Sequence, residues 1–181
     1  MFHSGDFIIY GTNGVCQIKE ICTSPFDPSS EQMYYVIKPL NAVGNSTIFT
    51  PVDNNRILMR KTLSPEEIDK LIHSMPNIQV IQAHNDRNRK DVYKTAIQKC
   101  DPVEYIKIIK TVGEIRSDLK NTKKRVPDSD IDFEQRAKHC LFSEFAFVLN
   151  IPFEKVDEYI QNKIDTPQQQ DTLPANKDKE V

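Results

Sequence analysis

Apolar residues fall in short extended runs up to about residue 60 and at helical spacing after it. Phe7–Tyr10 is a brief apolar run, and Val15, Ile18 and Ile21 mark a second extended segment. Gln32–Leu40 is aromatic and β-branched, a composition that suits the pleated, half-buried surface of a strand. Between them, Thr23–Ser30 is rich in Pro, Asp and Ser and predicts a hairpin loop. Thr47–Val52 and Ile57–Arg60, split by Asp53-Asn54-Asn55, complete five predicted strands. Strands this short with tight turns imply a small, strongly bent antiparallel sheet or partial barrel. Pro51 has no N–H to give to a ladder, so its strand is expected at an edge or a bulge.

The period then changes. Ser64-Pro65-Glu66-Glu67 has the form of a capping box with Pro at the first helical position, and Ile68, Leu71 and Ile72 follow on one face. This helix, ending near Met75-Pro76, is expected to pack on the sheet. Asn85-Asp86 predicts a start for a helix over Arg87–Lys99, and Asp101-Pro102 one for the run from Tyr105 to Ile115. After the charged loop Lys123–Asp128, Ser129 or Asp130 is expected to cap a long helix through Leu149, with an amphipathic helix over Pro152–Ile164 to follow. Residues 165–181 are polar and predict a disordered tail. The predicted class is α+β: a five-stranded antiparallel module over 1–62, a helix and linker over 63–83, and a helical domain over 84–164.

Charge sharpens that division. Residues 84–125 carry 12 basic and 6 acidic groups, whereas residues 126–181 carry 6 and 12. Arg87, Arg89, Lys90 and Lys94 lie within eight residues, and in a helix Arg87, Lys90 and Lys94 share one face. Such a stripe suits a phosphate backbone, and it equally suits a solvated surface. Lys123, Lys124 and Arg125 form a second basic group. Cys16, Cys22, Cys100 and Cys140 show neither C-x-x-C nor zinc spacing, and Cys16 and Cys22 share a parity expected to bury them as free thiols. Met1–Tyr10 lacks a basic n-region and an apolar h-region, and no apolar run approaches the roughly 20 residues that span a bilayer. A cytoplasmic compartment with no membrane partner is therefore expected.

The opening Gly5-Asp6-Phe7-Ile8-Ile9-Tyr10 with Gly14-Val15, the Tyr34–Lys38 strand, the Pro51-Val52-Asp53-Asn54 turn and the basic helical remainder together resemble the CarD family over roughly residues 2–163. These are bacterial transcription regulators whose N-terminal module is Tudor-like and shared with transcription-repair coupling factor. The resemblance implies that the module docks on the RNA polymerase β subunit by adding a strand to an exposed edge. In this chain that edge is Asn45, Ser46, Thr47, Ile48, Phe49 and Thr50, with the hairpin around residues 19–24 nearby. Phe49 stands where family members often carry a basic residue; it is either an apolar contact or part of the domain core. The resemblance further implies that the helical domain touches promoter DNA beside the melted region, through Arg87, Arg89, Lys90, Lys94, Lys123, Lys124 and Arg125. The family's wedging Trp is missing, since the chain has no Trp and Asn85 or Asp86 occupies that place.

No P-loop, dinucleotide Gly motif or H-E-x-x-H is present, and His3, His73, His84 and His139 are scattered. The expectation is a regulator of open-complex stability rather than an enzyme, with no cofactor, metal or small-molecule substrate. The alternative is a polymerase-binding adaptor whose helical domain engages a protein in place of DNA.

Overall fold

The computed structural model describes residues 1–27, 29–40, 46–83 and 85–165. Five strands run β1 (Phe7–Tyr10), β2 (Val15–Thr23), β3 (Met33–Pro39), β4 (Ile48–Pro51) and β5 (Met59–Lys61). They form one antiparallel sheet in the order β4-β3-β2-β1-β5. One face buries Ile8, Tyr10, Cys16, Ile18, Tyr35 and Ile37, with Phe2, Ile48 and Met59 packed against them. Ile57 lies outside β5 and is exposed.

The β1–β2 turn shows why glycine is needed there. Gly11 has φ +52, and a Cβ on it would sit 2.8 Å from Ile57 Cγ2. A side chain would meet both a strained backbone and an occupied space. In β2 the register to β3 shifts between Ile18 and Glu20. That bulge reverses the inside–outside alternation, so Cys16 and Cys22 take opposite faces despite their common parity. Cys16 is buried and Cys22 only half-buried. Desolvation pushes the Cys16 thiol up to about 11, which keeps it protonated.

Five helices follow: α1 (Pro65–Ser74), α2 (Asp86–Gln98), α3 (Pro102–Leu119), α4 (Asp128–Leu149) and α5 (Val156–Asp165). The capping box at α1 forms as expected, with Glu67 N–H donating to Ser64 Oγ at 3.2 Å and Ser64 N–H donating to Glu67 Oε2 at 2.7 Å. Asn85 and Asp101 cap α2 and α3. α1 does not pack on the sheet. Ile68 and Ile72 join Tyr93, Tyr105, Ile108, Val112, Leu141, Phe145 and Ile160 in the helical core. Its apolar face is removed from water against the helices instead.

Two further differences concern helix starts. α4 begins at Asp128 behind Pro127, which offers no side-chain acceptor, and Asp130, a predicted cap, lies instead within the first turn in an ion pair with Arg89. The last helix opens with a 3-10 turn over Phe153–Lys155. Residues 166–181, the bulk of the predicted disordered tail, lie outside the described residues.

The sheet meets the helices at one joint. Ile9 and Val15 bury against Cys100, with Phe147 packed on the same cluster, and the Phe7 and Phe147 rings lie 4.7 Å apart. Beside them Arg60 donates to both Glu144 carboxylate oxygens, each at 2.6 Å. Glu144, whose side chain is 1% exposed, also accepts from Leu63 N–H at 2.9 Å. Arg60 Nε donates to the Cys100 carbonyl at 2.7 Å, and Cys100 has φ +52 in the short turn between α2 and α3. A bidentate, fully hydrogen-bonded pair of this kind locks one orientation of the sheet on the helices.

Candidate docking edge and basic corner

β4 is the outermost strand on the side of the sheet away from the joint, and among the described residues it pairs only with β3. Tyr34 stands opposite Pro51 and Tyr35 opposite Thr50, while Val52 N–H donates to Met33 C=O at 3.0 Å. Hydrogen-bonded and open pairs alternate along an antiparallel ladder. Ile48, Thr50 and Val52 therefore turn their backbone groups to β3, and Phe49 and Pro51 turn theirs away. Pro51 has no N–H, and its carbonyl accepts from Asn54 N–H at 3.1 Å. Phe49 thus holds the open N–H and C=O at the middle of the edge.

Its side chain is open as well. Phe49 is 40% exposed and lies outside the buried cluster of the sheet. Its ring meets Phe26 edge-on at 5.8 Å, and Phe26, 72% exposed, meets Tyr34 at 5.9 Å. The aromatic group Phe26, Tyr34 and Phe49 belongs to the outer face of the sheet, where apolar surface this exposed suits a partner. Of the other expected edge residues, Ser46 and Thr47 are exposed, Ile48 packs on the core and Thr50 is buried. Asn45 lies outside the described residues. Sequence reasoning missed Phe26; an aromatic residue inside a Pro- and Ser-rich turn was the available signal.

On the helical body, Arg87, Lys90 and Lys94 are exposed along α2 and make no ion pair among the described residues. Arg89 departs from the expected set. Its side chain, 12% exposed, donates from Nε and Nη2 to the two carboxylate oxygens of Asp130 at 2.9 and 2.7 Å. It also reaches Asp86 at 3.0 Å. In a helix, position 89 points nearly opposite to position 87, so Arg89 turns inward among Tyr93 and Ala96. Its role is to tie the start of α2 to the start of α4. Lys123, Lys124 and Arg125 are exposed in the loop that leads into α4, and Arg125 precedes Asp130 by five residues. The tie therefore brings two helix N-termini together at a basic corner, with the stripe on the side of α2 opposite the tie and the basic loop leading into α4.

Among the described residues the sheet thus presents an aromatic edge at β4 and is fixed at its other side to the helical body. Residues 2–63 match the family model of the CarD-like/TRCF RID domain. The N-terminal segment is a domain of that RNA polymerase-interacting kind, which marks a transcription-related protein with a polymerase partner. The match ends at Leu63, so the helical body lies beyond it. No curated protein matches the chain. Among the described residues no helix is long and apolar enough to cross a membrane.

Proposed function

We propose that the protein regulates transcription by docking on the RNA polymerase β subunit through β4 and contacting promoter DNA beside the melted region through its basic corner, which changes open-complex stability. The observation that carries this reading is placement. The open edge at Phe49 lies at the far end of the sheet from the joint, and the basic corner lies on the helical body. This separation supports simultaneous engagement of both partners. Arg87, Lys90 and Lys94 supply unpaired cations for phosphate, and a contact of this type positions without reading sequence. Promoter choice then rests with the polymerase, and this protein acts on the lifetime of the melted state. The role is binding rather than catalysis.

The test is a reconstituted transcription assay. Replacing Arg87, Lys90 and Lys94 together by Glu is expected to abolish the effect on open-complex lifetime while polymerase binding persists. An unchanged lifetime in that variant removes the DNA contact. In that case a second reading gains ground, in which the helical body engages a protein. A groove of about 490 Å³ between the Met75–Asn77 turn, α3, α4 and α5, floored by Ile106, Leu141, Phe142 and Ile160, favours it, as does the lack of any Trp to wedge between bases.

A further inference from the structure

A cleft of about 590 Å³ opens where the sheet meets the C-terminal end of α2. One wall is the 3-10 turn Gly11–Asn13 together with Arg56 from the β4–β5 connection; the other is Thr95, Gln98 and Lys99 of the helical body. No carboxylate lines it. Arg56 is exposed, and its guanidinium makes no ion pair among the described residues. Lys99 is half-exposed and shares its charge with Glu104 at 3.3 Å. Thr12, Asn13, Thr95 and Gln98 add hydroxyl and amide groups to the lining, and Ile57 and Leu58 add apolar surface.

The position of this cleft matters as much as its charge. At 3.6 residues per turn, Arg87, Lys94 and Gln98 fall within about 20° of one line along α2, with Lys90 on its flank. The line starts at the basic corner and runs into the cleft. Exposed Asp91 lies beside it, so the track is cationic on one flank only. The Arg60–Glu144 pair holds the two walls at a set spacing.

We propose that this interdomain cleft is a second phosphate-binding site, which continues the α2 track onto the sheet module and seats the backbone of the same DNA. Arg56 is its principal cation, and Gln98 with Thr12 supplies neutral donors. This rests on the DNA contact proposed above and extends it from one domain to both. The footprint then crosses the joint, so DNA contact depends on how the two modules are oriented.

The experiment measures full-length protein binding to a fluorescein-labelled DNA duplex with one unpaired end, by anisotropy across a salt series. Arg56→Ala is expected to weaken binding several-fold on any sequence and to lower the slope of log K against log salt by about one. Arg56→Glu and Gln98→Glu should weaken it further. Wild-type affinity and slope in the Arg56 variants, alongside a loss in the Arg87→Glu, Lys90→Glu, Lys94→Glu protein, overturns the cleft and leaves the α2 contact standing. A wild-type protein that binds no DNA overturns both. Weakened polymerase capture with unchanged DNA binding in Arg56→Glu makes the cleft a protein contact and also overturns the proposal.

Discussion

Phe49 joins two properties that a docking residue needs: an open backbone N–H and C=O, and an exposed ring held by Phe26. Because the ring lies outside the core, Phe49→Ala is expected to leave the thermal midpoint nearly unchanged. It should weaken polymerase binding by about 1–2 kcal/mol, as removal of a central aromatic anchor does, and a titration against purified polymerase reads this directly. The contact is apolar, so the loss should vary little with salt. Glu134 behaves differently. Burial alone would raise its carboxyl, but hydrogen bonds from Arg116 and Lys138 outweigh burial and hold it below the ordinary 4.5. A depressed folded value contributes stability that is present above the unfolded value and lost as pH falls through the folded one. Denaturation titrations are expected to show this loss below about pH 4.5, and Glu134→Gln should flatten it.

At the scale of elements, α2 carries two kinds of cation. Arg87, Lys90 and Lys94 face solvent, so their replacement by Ala should change folding stability by less than about 0.5 kcal/mol. Arg89→Ala leaves Asp130, itself 1% exposed, as a buried carboxylate without its partner. That change is expected to cost about 3–5 kcal/mol, read by urea denaturation. The pattern of α2 was legible: Asn85 as cap, an apolar face of Tyr93, Ala96 and Ile97, and a basic stripe. The partner of Arg89 was not, because Asp130 lies 41 residues away and reads locally as a helix cap. The strands tell a similar story. Their positions followed from alternation, yet the bulge in β2 moved Cys22 to the face opposite Cys16, and no local pattern announced it.

At the scale of the whole molecule, the Arg60–Glu144 pair makes one body of two modules. Glu144→Ala is expected to destabilise the protein by about 3–5 kcal/mol, since Arg60 loses its partner at a largely buried joint. Arg60→Met with Glu144→Leu should restore stability to within about 1–2 kcal/mol. That double variant is expected to keep its affinity for polymerase and for DNA separately but to shorten the effect on open-complex lifetime. A fixed joint raises the effective concentration of the second contact once the first is made, and a joint without its directional pair loses part of that gain.

Local chemistry along the chain was enough for the α+β order, the capped starts of α1, α2 and α3, the edge character set by Pro51 and the resemblance of the first sixty residues to a polymerase-interacting domain. Each of these depends on interactions within a few residues or on a short periodicity, which a linear string records. Tertiary contact alone settled that α1 belongs to the helical core, that Arg89 is a tie rather than a ligand-facing cation, that Phe26 joins Phe49 at the edge, and that Arg56 shares a cleft with α2. These rest on pairs far apart in sequence, whose meeting is fixed by how apolar faces bury and how buried charges find partners.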